Sequence, residues 1–320
     1  MTTFKEIRGT AIESVSSDPS NPEEGQIWYN NTIGVLKGYQ NIGGAWASGG
    51  NLATAREGLA GGGIQTAGLA FGGITTTNTG ATEEYDGTSW SPGGTMATAR
   101  KFLAGCGTQT AGLGFAGSST PAFPATVTGA TEEYNGTSWS PGGTMATART
   151  YLAGCGIQTA GLVFGGFIPS TNQSATEEYD GNAWTAGGSL GTARRDLAGL
   201  GTQTAGLGVA GYSTTATSVG TEEYDGSSWT AGGNVPTARS GARGSGIQTA
   251  ALVFGGGLNQ TIEYNGTSWT AVPATLATSR GGMAGLGTQT LALAAGGAGP
   301  TAVTEEYTNP TIAVRKITTS

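Results

Sequence analysis

The chain has 320 residues, 60 of them glycine, and sets 14 basic against 21 acidic residues for a net charge of −7. Glycine without a three-residue period, beside only 11 prolines, excludes collagen, and 7 Trp, 10 Tyr and 8 Phe in a chain that is 11% charged exclude simple disorder. Histidine is absent, which removes the usual zinc sites and the Ser-His and Cys-His nucleophiles, and the acidic balance is the wrong sign for a phosphate backbone, so no metal, cofactor or nucleic acid is expected.

The first eight residues, Met-Thr-Thr-Phe-Lys-Glu-Ile-Arg, place charges where an export signal needs an apolar stretch, and no apolar run reaches the ~18 residues of a membrane span. Residues 1–34 do not repeat and are expected to form an N-terminal arm and hairpin. Asp18-Pro19-Ser20-Asn21-Pro22-Glu23-Glu24-Gly25-Gln26-Ile27-Trp28-Tyr29-Asn30 leads through an Asn-rich turn to Gly34-Val35-Leu36-Lys37-Gly38-Tyr39, two strands about a turn. This pattern is similar to a short module of tail-fibre and other virion proteins of bacteriophages, which implies attachment to other virion proteins. The alternative is an edge hairpin packed on the domain that follows.

From residue 35 to 308 the chain repeats. Tryptophans stand at Trp46, Trp90, Trp139, Trp184, Trp229 and Trp269, each followed by a Gly-rich turn and an arginine: Arg56, Arg100, Arg149, Arg194, Arg239 and Arg280. A small-residue stretch, a Gly-x-Gln-Thr turn and an apolar run ending in Gly-Gly come next. A loop of changing length then leads to Glu-Tyr, with the glutamates at Glu84, Glu133, Glu178, Glu223, Glu263 and Glu306. The apolar runs are too short for helices, so four strands per repeat of roughly 40–50 residues are predicted, the period of a propeller blade.

The order Arg, Gly-Gly, Glu-Tyr-Asp/Asn-Gly, Trp resembles the Kelch repeat. The resemblance implies an all-β, six-bladed β-propeller of four-stranded antiparallel blades. The doublet is Ala116-Gly117 in blade two and Ala210-Gly211 in blade four, and Ile262 replaces the first acid in blade five. The first Trp lacks strands before it and the last Tyr lacks a Trp after it, so Tyr39 to Ala47 is expected to supply the missing fourth strand and close the ring. Val35 to Tyr39 also reads as a third strand, and Ile312 to Ile317, within the tail 309–320, as an alternative closing or outer strand. Crowding near the axis is the expected reason for so much glycine.

Six equivalent carboxylates do not describe a catalytic site, and each arginine is expected to pair with a glutamate of its own or a neighbouring blade. Cys106 and Cys155 fill equivalent slots and are read as free buried thiols, with an inter-blade disulfide as the alternative. The six glutamines of Gly-x-Gln-Thr are expected to support tight turns. Only the connection between strands two and three changes freely between repeats, and it carries Asn78, Phe123, Phe167, Asn172, Tyr212 and Asn259 as candidate binding residues. Together with the phage-like arm, this implies a non-enzymatic virion structural protein, of tail, fibre or capsid, made in the host cytoplasm and displaying its loops to a host-surface glycan or protein. A homo-oligomer is compatible with this. The alternatives are a decoration or assembly module binding only other phage proteins and, less favoured, a polysaccharide-degrading enzyme.

Overall fold

Apolar runs of four to six residues, bounded by Gly, Asn-Gly and Asp-Gly turns, become strands throughout residues 12–19, 26–40, 43–120, 126–309 and 313–316, which a computed structural model describes; among these residues there is no helix. Contacts divide the chain into Gly44–Asn309 and a smaller unit drawn from both ends, Met1–Gly43 with Pro310–Ser320.

The larger unit holds six four-stranded antiparallel sheets among its described residues. The first is Ala60–Ile64, Ala67–Phe71, Thr82–Tyr85 and Trp90–Pro92. The second to fifth start at Ala104–Thr108, Ala153–Ile157, Ala198–Thr202 and Ala242–Ile247 and run on in the same order. The sixth has Ala284–Gly287, Leu291–Ala295 and Thr304–Thr308, and its fourth strand is Ala45–Ser48, with Trp46 opposite Tyr307. The expected strand exchange between the two ends of the repeat is thus present, carried by Ala45–Ser48 alone.

Second strands such as Gly68–Phe71 are buried on both faces, because each sheet packs between others. Leu113, Phe115 and Val163, with Met145 and Trp184, make one cluster from the second and third sheets; Leu52, Leu59 and Ala70 cluster with Ala284 and Ala295 of the sixth. Glycine permits this approach: a Cβ on Gly105 would run into the ring of Phe71 on the preceding sheet.

The Gly-Gly doublet has a backbone cause. Its first residue is left-handed, with φ of 66° at Gly72 and 63° at Gly165, and the exceptions Ala116 and Ala210 sit there at 60° and 57°. Alanine in that region is destabilised by steric contact of its Cβ. Ala116→Gly and Ala210→Gly are each expected to raise stability by about 0.5–1 kcal/mol, net of the greater freedom of glycine in the unfolded chain. Denaturant midpoints check this; a loss of stability in both would contradict it.

In the smaller unit Glu13–Val15 runs parallel to Ile27–Asn30, which pairs antiparallel with Val35–Gln40, and Ala313–Lys316 adds to the far side of that strand. Val35–Gln40 therefore belongs with the arm, and the division falls at Gly43/Gly44, not at 34/35, because its hydrogen bonds go to the arm's own strands. The tail strand is an outer strand here and does not close the sixth sheet.

The arm motif around Asp18 is a hydrogen-bond hub. Asp18 accepts from Trp28 Nε1 at 3.0 Å, Asn30 Nδ2 at 2.9 Å and Lys37 Nζ at 2.6 Å, while Asn30 Oδ1 accepts the backbone N–H groups of Thr32 and Ile33 to set the turn. Trp28 is fully buried. The Lys37 hydrogen bond, then those from Asn30 and Trp28, holds the Asp18 carboxyl down at about 2, from 3.8. A depressed carboxyl stabilises the fold above its unfolded pKa and loses that contribution as pH falls. Trp28 emission should accordingly shift red as pH drops from about 4 toward 2, and Asp18→Asn should remove this acid step. An unchanged acid titration in Asp18→Asn would refute the assignment.

Candidate functional site

The repeated charged and aromatic side chains are engaged in holding sheets together. Arg56, fully buried, donates from Nη2 to Glu83 Oε1 at 2.8 Å and from Nη1 to the carbonyls of Gly72 and Ala81 at 2.9 and 2.7 Å. Arg100–Glu132, Arg149–Glu177, Arg194–Glu222 and Arg280–Glu305 repeat the ion pair at 2.7–2.9 Å. Burial pulls these guanidinium pKa values down, and the glutamate opposes it. The partner is the first acid of Glu-Glu-Tyr. The second, singled out in the sequence, faces the other side of the strand and accepts from the next sheet's tyrosine: Tyr134 to Glu84, Tyr179 to Glu133, Tyr224 to Glu178, Tyr264 to Glu223 and Tyr307 to Glu263. Tyr85 of the first sheet donates to Glu306 of the sixth. Burial, then the bond to the glutamate, pushes Tyr85, Tyr179, Tyr224 and Tyr264 up to about 12, so their hydroxyls remain donors at neutral pH.

Two further series follow the same path. Each indole N–H donates to a threonine hydroxyl on the preceding sheet, as Trp139 to Thr82 at 2.9 Å, and Trp90 of the first sheet reaches Thr304 of the sixth at 3.0 Å. The glutamines do more than support their turns. Gln109 Nε2 caps the carbonyls of Gly68 and Tyr85 on the preceding sheet, and Gln65 those of Ala292 and Tyr307 on the sixth.

The fifth sheet breaks the pattern twice at one point. Elsewhere the second oxygen of the buried glutamate accepts the backbone N–H three residues before the arginine, as Ala97 to Glu132 at 2.7 Å. In the fifth sheet the acid is Ile262 and the donor position is Pro236, which has no N–H, so acceptor and donor are lost together. Arg239, 1% exposed, keeps two long bonds of 3.4 Å to backbone carbonyls, and its Nη2 has no partner among the described residues.

At the end of the inner strands nearest the arginines, six backbone bonds run head to tail. Phe102 donates to Gly58, Tyr151 to Phe102, Asp196 to Tyr151, Gly241 to Asp196, Gly282 to Gly241, and Gly58 back to Gly282, at 2.7–3.0 Å. All six residues are left-handed, with φ between 49° and 71°. A chamber of about 50 Å³, lined by Leu59, Leu103, Leu152, Leu197, Met283 and Arg243, lies among the same strand ends. The residue before four of the six ring members pairs with the start of the variable connection: Glu57 with Ile74, Lys101 with Ser118, Thr150 with Phe167 and Arg195 with Tyr212.

Three of the sequence candidates meet here. The Arg195 guanidinium lies 4.7 Å from the ring centre of Phe167 and 4.8 Å from that of Tyr212, and donates to Asn172 Oδ1 at 3.0 Å. Asn172 in turn donates to the Tyr212 carbonyl at 3.0 Å. Beside them Phe102 and Tyr151 stack at 4.1 Å, and Lys101 Nζ is 5.3 Å from the Phe102 ring centre. Burial pushes Asp196 up to about 6 against the opposing pull of Arg243 and Arg195. Asn78 stands apart, donating to the Ser118 carbonyl at 2.9 Å as a link between neighbouring connections. Asn259 is exposed, and Phe123 lies outside the described residues. Arg195, Asp196, Phe102 and Tyr151 escaped the sequence reading, although the pair after each arginine changes as freely as the loops: Glu-Gly, Lys-Phe, Thr-Tyr, Arg-Asp, Ser-Gly and Gly-Gly.

No family model matches this chain, and no curated protein matches it. Cys106 and Cys155 are free and buried, and burial pushes Cys106 up to about 12, which makes it a packing group and not a nucleophile.

Proposed function

We propose that Gly44–Asn309 is a closed six-bladed β-propeller of Kelch type and that the protein is a non-enzymatic component of a bacteriophage particle. Its variable face would bind a host-surface glycan or protein, and the smaller unit would attach it to other virion proteins. The observation that carries the closed ring is the return of each bond series to its start: Tyr85 to Glu306, Trp90 to Thr304, Gln65 to Ala292 and Gly58 to Gly282 each join the first sheet to the sixth. A rigid ring with one face of changing loops is a scaffold for recognition. A hydrolase is disfavoured, since in five sheets the first acid is held by an arginine and in all six the second by a tyrosine.

The decoration reading is supported by one observation. Ile64, Ile157, Ile247 and Leu291, at the opposite ends of the inner hairpins, are 43–55% exposed, an apolar set suited to docking on a particle. Competition with phage adsorption separates the two. Excess purified full-length chain should slow adsorption to host cells if the loop face binds a receptor. Absence of competition, with firm binding to purified tail or capsid protein, would overturn receptor binding and leave the decoration role.

A further inference from the structure

We propose that the crescent formed by Phe102, Tyr151, Arg195 and Asp196 with Phe167, Asn172 and Tyr212 is a binding site for an anionic saccharide. The inference rests on the loop face being the receptor-binding face and names what it takes.

The first argument is backbone strain. Of the six left-handed positions in the hydrogen-bonded ring, Gly58, Gly241 and Gly282 carry the residue suited to that conformation, whereas Phe102, Tyr151 and Asp196 hold φ of 49°, 55° and 53°. A side chain there is disfavoured by roughly 1–2 kcal/mol per residue, and the other three repeats use the strain-free alternative. The three strained residues are consecutive around the ring, so the large side chains rise on one half and glycine floors the other. A Cβ on Gly241 or Gly282 would meet only backbone atoms at ordinary contact distance, 3.5 Å or beyond, whereas one on Gly58 would run into the Phe102 ring, so the uncovered floor beside the crescent is at Gly241 and Gly282. Strain kept on one side of an otherwise repetitive ring points to use of those side chains.

The second argument is the chemistry of Arg195. Its guanidinium is held against two rings and by one bond to Asn172, and its other nitrogens have no hydrogen-bond acceptor among the described residues. An immobilised planar fork with a free edge suits a carboxylate or sulfate, which it can bind through two parallel hydrogen bonds without further loss of side-chain freedom. Lys101 and Arg243 add positive charge nearby, against the carboxylates of Asp196 and Glu57, so three cations face two acids in a chain whose net charge is −7. The aromatic ledge of Phe102 and Tyr151 and the amide of Asn172 supply the apolar and hydroxyl-matching surfaces of a sugar ring. A protein partner is less favoured here because the most exposed large apolar side chains of the six sheets, Ile64, Ile157, Ile247 and Leu291, lie at the other ends of the hairpins, while the variable connections expose only Val219 and Val303 among their described residues, and those less.

The test uses the full chain and three immobilised probes: tetragalacturonate, the same oligosaccharide with its carboxyls reduced, and a sulfated galactan. Binding is expected to one or both acidic probes, weakening with salt, and not to the reduced one; which acidic probe binds tells carboxylate from sulfate. Arg195→Gln should weaken it roughly 10- to 100-fold, with Arg195→Lys intermediate because the ammonium lacks the fork. Phe102→Gly, which installs the residue three other repeats carry, should weaken binding without lowering the melting temperature. Equal binding of the reduced and acidic probes would overturn the anionic assignment while leaving a glycan-binding face. Failure of all three probes, with adsorption competition intact, would overturn the saccharide assignment in favour of a protein receptor. Binding unchanged in Arg195→Gln would overturn the site.

Discussion

Replacing Arg100 by methionine is expected to lower stability by about 3–5 kcal/mol, the range for removing one partner of a buried, hydrogen-bonded ion pair. The substitution strands Glu132, left with the backbone N–H groups of Ala97 and Thr98, and removes the donor from the carbonyls of Ala116 and Ala130. Arg239→Met is expected to behave oppositely, changing stability by less than about 1 kcal/mol or raising it. That arginine already lacks a carboxylate, keeps only two long bonds of 3.4 Å to carbonyls, and is disfavoured by burial alone. The contrast isolates the ion pair from the bulk of the side chain, since both residues are almost fully buried. A double replacement, Pro236→Ala with Ile262→Glu, should restore donor and acceptor together and make Arg239→Met costly again. Equal losses for Arg100→Met and Arg239→Met in denaturant melts would show that packing, and not charge pairing, sets the value of these arginines.

The repeat made much of the architecture legible, because a strand order copied six times is visible wherever its turns are. Four strands in each sheet follow from the short apolar runs between turns, and a last strand borrowed from the start follows from the Trp that is missing after Tyr307. What the spacing left open was side-chain direction. Glu83 and Glu84 are adjacent on one strand and point to opposite sides, so sequence order does not say which meets Arg56; the buried face decides. The glutamines were legible as turn residues but not as bridges, since their acceptors are carbonyls of a different sheet, 24 residues earlier for Gln109 and 227 later for Gln65. The binding residues were half legible. Phe167, Asn172 and Tyr212 stood out in loops that change length, while Arg195 and Asp196 lie next to a repeated arginine and were masked by it. Comparing the two residues after each arginine across the repeats would have found them, because the second is a left-handed position, and one that is glycine in three repeats and phenylalanine, tyrosine or aspartate in the others is not drifting freely.

The largest effect is expected at the borrowed strand. A chain of residues 44–309 retains Ala45–Ser48, which pairs with Thr304–Thr308 and brings Trp46 to 4.9 Å from the Phe254 ring and 5.3 Å from the Tyr307 ring, its indole N–H 2.8 Å from the Thr261 hydroxyl. Starting at residue 49 removes all of this. Truncating one such tryptophan to alanine costs about 3 kcal/mol, and loss of the whole strand also leaves the third strand of the sixth sheet as an open edge, so the melting point should fall by roughly 10 °C or more and aggregation should appear. Trp46→Ala in the full chain should give the smaller part of that loss. The edge left open is also a template, so a synthetic peptide of residues 43–51 should pair with it and recover the melting point in a concentration-dependent way, as any ligand selective for the native state does. Peptide with alanine at position 46 should be much weaker, because the strand is held by its indole as well as by its backbone. If the 49–309 chain melted like the 44–309 chain, the two ends of the repeat would not be joined through this strand, and closure would have to rest on the bonds from the first sheet to the sixth, Tyr85–Glu306, Trp90–Thr304, Gln65–Ala292 and Gly58–Gly282 among them.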